Sequence, residues 1–256
     1  MQEKKLSRFY SRRFYKGMID GSIRSAEIIL GILYDIYKPV SVIDVGCGMG
    51  SWLTVAESLG SKILRGLDGE WITKDMLLSK NIDFTPTKME DEIAIDVQYD
   101  LCISLEVAEH LSPTRSKTFI ETLCNASNVI LFSSAVKYQG GTNHINEQWQ
   151  SYWIELFKEN RFECYDIFRN IIWENDEVEL WYRQNIFLFI NENGLKSNLD
   201  LRMLKSMEKS IPNIIHPKYY EAKVLNHNKD IQKPFLQLDI QGIRHYFSNK
   251  LRKSSI

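Results

Sequence analysis

Apolar residues recur three and four positions apart through MIDGSIRSAEIILGILYDIYKP, which predicts an amphipathic helix ending at Pro39. VSVIDV then reads as a strand buried on both faces, because its apolar run is nearly continuous rather than alternating. Next come the loop GCGMGSW, the helix LTVAESLG and a second strand, KILRGLD. A helix within 72–80 and a weaker strand, IDFTPT, are followed by a fourth strand, YDLCISL. The pattern closes with the helix RSKTFIETLC, the strand NVILFSS, the helix NEQWQSYWIELFKEN, and two last strands, RFECYDIFR and RQNIFLFI. Strands alternating with helices in this way predict an α/β fold, a parallel sheet with helices on both faces. Beyond Asn193–Gly194 the chain changes to short Lys-rich, helix-prone pieces broken at Pro212, Pro217 and Pro234. Three parts are therefore expected: a basic N-terminal segment over 1–24, a main domain over 25–194, and a helical appendage over 195–256.

Composition narrows the class. The 256 residues have a net charge of −1, but the charge is unevenly spread. Residues 25–194 hold thirteen Lys/Arg against twenty-six acids, and the two ends are basic. Phosphate backbones need clustered cations along the site, so the acidic middle argues against a broad nucleic-acid surface. No apolar run is long enough to span a bilayer, and no cleavable leader follows the basic start. The four cysteines are scattered without a C-x-x-C pair, the pattern of reduced thiols in a cytoplasmic protein. His216, His227 and His245 are expected at the surface of the appendage.

The chemistry concentrates at strand ends. In VIDVGCGMG, Gly46, Cys47, Gly48 and Gly50 stand where a strand turns into a helix, so that backbone N–H groups can meet a ligand. Asp68 and Gly69 end the next strand about twenty residues on, where a carboxylate accepts from ribose hydroxyls. SLEVAEHL puts Glu106, Glu109 and His110 at i, i+3 and i+4, one face of a helix if a helix starts at Glu106. His144 follows the fifth strand, on the same edge of the sheet.

VIDVGCGMG, GLDGEW and YDLCISLEVAEHL together resemble the class I S-adenosylmethionine-dependent methyltransferases, over roughly residues 25–190. The resemblance implies a Rossmann-like seven-stranded methyltransferase sheet. It lays Asp44 and the glycine loop along the methionine moiety and gives Asp68 the ribose hydroxyls. It brings Met89 near the adenine, with Lys88 where many relatives carry an acid, and Ser104, Leu105 and Glu106 beside the methyl-donor sulfur. SLEVAEHL, QGGTNHINEQWQSYWIELF and LWYRQNIFLF look like a bacterial branch associated with surface-glycan gene clusters. That implies a small-molecule or nucleotide-linked sugar, a capsule or glycan precursor, as acceptor.

Ser-Leu-Glu at 104–106 replaces the Asn/Asp-Pro-Pro-aromatic run of amino-directed nucleic-acid methyltransferases, so an oxygen acceptor is the better match. A hydroxyl has a high pKa and needs help to become nucleophilic. His110 or His144 could act as general base. Alternatively Glu106, Glu109, His110 and His144 hold a divalent ion, Mg²⁺ or Mn²⁺; small-RNA 3′-terminal 2′-O-methyltransferases are similar in carrying such a set. The run also suits plain helix packing, with two acids facing the helix dipole. Tyr138, Asn143, Asn146, Glu147, Trp149 and Arg183 are candidates for the acceptor pocket, and Gly140–Gly141 reads as a flexible turn. Arg183 would meet an anionic group of the acceptor or pair with Glu179 or Asp176; Trp153 suits the core. RNA 2′-O-methylation and non-catalytic cofactor binding are the competing readings.

Overall fold

Seven short strands rich in Val, Ile, Leu and Phe form one mixed sheet in the computed structural model, which describes residues 12–204 and 213–224. In chain order the strands are β1 (Ser41–Val45), β2 (Ile63–Asp68), β3 (Asp83–Pro86), β4 (Leu101–Leu105), β5 (Val129–Ser133), β6 (Phe162–Tyr165) and β7 (Phe187–Asn191). Their order across the sheet is β3-β2-β1-β4-β5-β7-β6. The helices are α1 (Arg12–Ile36), α2 (Ser51–Ser58), α3 (Ser116–Ala126), α4 (Gln150–Glu159), α5 (Arg169–Ile172), α6 (Leu180–Asn185), α7 (Glu192–Ser197) and α8 (Leu199–Met203).

The period-two geometry of a strand sorts its side chains onto two faces, and both are dry. Val42, Leu64, Leu101, Ile103, Leu131 and Leu188 pack with Ile29, Leu33 and Leu53 of α1 and α2 on one side. Ile43, Cys102, Ile130, Phe132, Phe187 and Phe189 pack with Phe119 and Leu123 of α3 and Trp153 and Phe157 of α4 on the other. Phe157 and Phe189 stack with ring centroids 3.8 Å apart. Losing one such buried ring costs about 3–5 kcal/mol, so Phe157→Ala alone would endanger the fold.

The chain runs outward from β1 through β2 to β3 and then returns to β1's other side as β4. Val42 pairs with Leu101 and Asp44 with Ile103. The ends of β1 and β4 therefore border the point where strand order reverses, the usual ligand crevice of open α/β sheets.

Three expectations change. The sheet is not wholly parallel, because β7 runs antiparallel to both β5 and β6. The link between β6 and β7 starts and finishes at the same sheet edge, so the returning strand must reverse. That edge is also where β4 ends, which brings α6 beside Glu106. In 72–80 only a 3-10 turn, Lys74–Met76, forms. Leu77 is already extended, and Leu78 N–H donates to Met49 O of the glycine loop, which pulls the backbone out of helical geometry. Nor does a helix begin at Glu106: its φ is +55°, and only Ala108–His110 make a single 3-10 turn. Glu106 N–H still donates to Ser133 O, so the residue belongs to the end of the sheet and the helical face of carboxylates does not exist.

The chain groups into two compact units, Met1–Ile214 and Ile215–Ile256. In the second, 217–224 are helical, and His216, expected at the surface, is buried with Nδ1 accepting from Lys218 N–H. Residues 1–11, 205–212 and 225–256, with His227, His245 and Pro234, lie outside the described residues. Among the described residues no helix is long and apolar enough to cross a membrane, and the four cysteines are free thiols.

Candidate functional site

Gly46, Gly48 and Gly50 have φ of +96°, +53° and +81°, in the left-handed region that residues with a Cβ avoid. Space forbids side chains as well. A Cβ on Gly46 would lie 2.2 Å from Val107 Cγ2, and one on Gly50 would lie 2.5 Å from Ile82 Cδ1. The glycines thus keep a bare backbone cradle between β1 and α2. Asp68, at the tip of β2, closes its side: one carboxylate oxygen accepts from Gly48 N–H and the other from Gly69 N–H, each at 2.7 Å. Burial holds the Asp68 carboxyl up at about 6, although those hydrogen bonds pull the other way. Asp44 is pushed well above the carboxylate range by burial, and then by Asp68. Two carboxylates kept dry beside a glycine cradle are a costly arrangement that a cationic or hydroxyl-bearing ligand would relieve.

Other predicted cofactor residues are held by the protein. Cys47 is buried, and Cys47 Sγ donates to Gly48 O. Ser104 is buried with its hydroxyl donating to Val45 O, and Leu105 is buried next to it. Met89 lies half-buried in a loop fixed by Arg115, whose Nε donates to Met89 O at 3.2 Å and whose other amino group donates to Asp91 O at 2.8 Å. Both Glu90 oxygens accept from Ser112, through its N–H and its hydroxyl. The whole 88–92 loop is therefore anchored on the segment that starts α3.

Across the crevice, the structure brings Glu109, His110 and His144 together, with one potential ligand atom from each lying within 4.8 Å of the others. Glu109 is fully buried; Oε2 accepts from Ser134 Oγ at 3.0 Å, and its carboxyl is hydrogen-bonded to the Glu106 carboxyl. Burial and then the Glu106 charge push the Glu109 carboxyl well up. His110 Nδ1 lies 3.3 Å from Asn143 O, and His144 Nδ1 lies 3.0 Å from Glu147 Oε1. Both partners are acceptors, so each ring donates from Nδ1. Burial, helped by His144, lowers His110 to about 4, so the ring is neutral at physiological pH. A buried carboxyl beside two imidazoles is a donor set that fits one divalent cation.

Glu106 borders this trio, its carboxyl hydrogen-bonded to that of Glu109. Its oxygens accept from Gln139 Nε2 and Asn185 Nδ2, both at 3.4 Å, and burial raises its carboxyl to about 6. Gln139 Oε1 in turn accepts from Asn185 and Gln184, so the loop after β5 is tied to α6 beneath the site. Burial, then the Glu106 charge, raises neighbouring Tyr182 to about 12. Three of the four non-glycine residues with positive φ among the described residues, Glu106, Tyr138 and Asn143, line this edge. Strain of that kind persists where surrounding contacts over-determine it, commonly at functional sites.

The acceptor candidates separate. Tyr138 is 79% exposed beside exposed Asn143, so both reach solvent at the mouth. Asn146 is buried and structural: its amide donates to Ser116 Oγ at 2.8 Å and to Ala108 O at 3.4 Å, fastening the loop to the Glu109 turn. Glu147 faces His144. Trp149 lines a surface groove along α4 with Tyr152, Glu155 and Leu156, while Trp153 is core. Arg183 is buried and pairs with Asp176 at 2.8 Å, one of the two structural partners expected for it. Ser134, Gln139, Asn185 and Arg115 escaped the sequence reading. The signal for the first three was indirect: two carboxylates in a predicted strand-end turn require donors, and RQN before the last strand supplies amides.

No protein-family model matches the chain, and no curated protein matches it. Among solved structures it is similar to magnesium protoporphyrin IX methyltransferase from Synechocystis PCC 6803, crystallised with SAH and with SAM. The identity is 17%, with TM-scores of 0.51 and 0.50, covering 67% of this chain and 84% and 80% of those. An O-methyltransferase family protein from Burkholderia thailandensis aligns at 11% identity and a TM-score of 0.51, over 70% of this chain and 60% of that one. At these identities the likeness establishes a shared fold, the seven-stranded methyltransferase sheet.

Proposed function

We propose that the protein is an S-adenosylmethionine-dependent methyltransferase that methylates an oxygen of a sugar-like acceptor. Support comes from a glycine cradle with two dry carboxylates facing, across the β1/β4 crevice, the Glu109–His110–His144 donor set. The latter observation carries the reading, since it joins a cofactor-type cradle to groups able to prepare a hydroxyl. The neighbours with the same fold, two of them holding SAM or SAH, agree with it.

S-adenosylmethionine supplies an electrophilic methyl group. The Asp68 carboxylate, already set by Gly48 and Gly69, would receive ribose hydroxyls; the bare loop 46–50 and Asp44 would take the methionine end. Glu109, His110 and His144 would hold Mg²⁺ or Mn²⁺, which would supply Lewis-acid activation of an acceptor hydroxyl. Tyr138 and Asn143 would meet the acceptor at the rim, an aromatic face beside an amide, as suits a sugar ring. Alignment in a closed crevice accounts for much of the acceleration of such a transfer.

A second reading keeps the same residues without an ion: His110 or His144 takes the hydroxyl proton directly. Its support is the placement of both rings on this sheet edge, each with Nδ1 on a fixed acceptor. RNA stands behind both as acceptor, because residues 25–194 carry twice as many acids as Lys/Arg. A methyl-transfer assay across nucleotide-sugar and glycan precursors, with and without a chelator, tests the proposal. Activity lost to chelator and restored by Mn²⁺ supports the ion. Chelator-resistant activity that disappears in His110→Ala supports the base. Transfer to RNA alone removes the sugar acceptor.

A further inference from the structure

The segment QGGTNHINE folds around a single carboxylate. Glu147 Oε1 accepts from Gly140 N–H at 2.5 Å and lies 3.0 Å from His144 Nδ1. Because that oxygen already accepts from a backbone N–H, it is an acceptor toward the ring too, and Nδ1 must carry the hydrogen. In solution neutral imidazole favours the other tautomer, so the loop imposes a choice. Gly140, at φ +74°, makes the turn that brings its N–H round. Gly141 presses on the ring's far side, where a Cβ would come within 2.2 Å of His144 Nε2 and 2.3 Å of Cε1. What read as a flexible glycine pair is thus a fitted collar, and both the His144 and Glu147 side chains are mostly buried within it.

We propose that Glu147 is the positioning residue for His144: it takes the Nδ1 hydrogen, fixes the ring in one tautomer and orientation, and so presents the Nε2 lone pair at the Glu109–His110–His144 cluster. This rests on the reading of that cluster as the reacting site, and extends it by one residue. A carboxylate behind a ligating imidazole also raises its basicity, and loss of such a partner typically costs about 10–100-fold in metal affinity.

The test uses the full chain with ¹⁵N-labelled histidine, in wild type, Glu147→Gln and Glu147→Ala, at a pH where the ring is neutral. The expected wild-type spectrum shows His144 with a protonated Nδ1 and an unprotonated Nε2. Glu147→Gln, whose amide oxygen still accepts, keeps that pattern; Glu147→Ala moves His144 toward the Nε2-protonated form. Calorimetric titration with Mn²⁺ alone should give affinity lower by about 10–100-fold in Glu147→Ala and largely recovered in Glu147→Gln. Circular dichroism establishes that each variant is folded, and a Glu147→Ala chain that fails to fold is replaced by Glu147→Leu, which fills the space without accepting. Unchanged His144 shifts in a folded variant lacking the acceptor overturn the proposal, as does a Glu147→Gln no better than Glu147→Ala. If wild type takes up no Mn²⁺, the ion reading falls and the nitrogen shifts alone judge Glu147.

Discussion

His110 and His144 meet edge to face with ring centroids 4.8 Å apart, although thirty-three residues separate them in the chain. Two imidazoles so close, each with Nδ1 on a fixed acceptor, bring one potential ligand atom apiece within 4.8 Å of each other and of Glu109. If that space takes a divalent ion, His144→Ala should weaken Mn²⁺ binding by more than about 100-fold, beyond what a partner behind a ligand contributes. Glu106→Gln, altering a carboxylate outside the trio, should change it far less. Calorimetry on the three proteins checks both expectations.

Backbone conformation gives a sharper contrast at two glycines. Gly46→Ala forces a Cβ into Val107 at a φ of +96°, and should cost about 1–3 kcal/mol of stability and most of the cofactor affinity. Gly31→Ala, in the interior of α1 with nothing within 4 Å of the new Cβ, should instead gain about 0.5–1 kcal/mol. Urea denaturation of both variants measures the difference directly.

Asp68 makes stability depend on pH in a direction opposite to that of a salt-bridged carboxylate. Its folded-state carboxyl, held up at about 6 by burial, keeps a proton that the unfolded chain releases near 3.8. The folded state therefore loses relative stability as pH rises from 3.8 through about 6, and nothing further above that. The group's contribution is about 3 kcal/mol. In Asp68→Asn this portion of the fall should be missing, while a pH-independent offset remains because one backbone N–H loses its acceptor. Denaturation curves of both proteins between pH 4 and 7.5 report the change in slope.

Arg115 is buried while holding the carbonyls of Met89 and Asp91. Arg115→Ala leaves two carbonyls without donors and opens space beneath the loop, a loss of about 2–4 kcal/mol. Under the proposed function, S-adenosylmethionine binding should weaken more than the affinity for Mn²⁺, because the hydrogen bonds of Arg115 go to Met89, Asp91 and Thr118 and not to the Glu109 cluster. Thermal melts and paired titrations separate the two effects.

The sheet was legible in the sequence because strands buried on both faces read as unbroken apolar runs, and VIDV, LCISL and VILFS are dry throughout. The glycine loop and Asp68 were legible for the same local reason: positive φ needs glycine, and a strand end has a fixed distance to the next. What could not be read is set by tertiary geometry. The reversal of β7 depends on which edge the 166–186 link follows. The place of Glu106 at the end of the sheet, not on a helix with Glu109 and His110, depends on a ladder bond to Ser133 that interrupts the helical spacing. The amides on Glu106 come from thirty-three and seventy-nine residues away, and no local pattern announces them.

The central claim is that the β1/β4 crevice holds S-adenosylmethionine. Isothermal titration of S-adenosylmethionine, and separately of S-adenosylhomocysteine, into the full chain tests it most directly. Saturable one-to-one binding is expected, with a dissociation constant in the roughly 1 μM–1 mM range of enzyme–substrate affinities, lost in Asp68→Ala. Folded wild-type protein giving no saturable heat with either compound would contradict it.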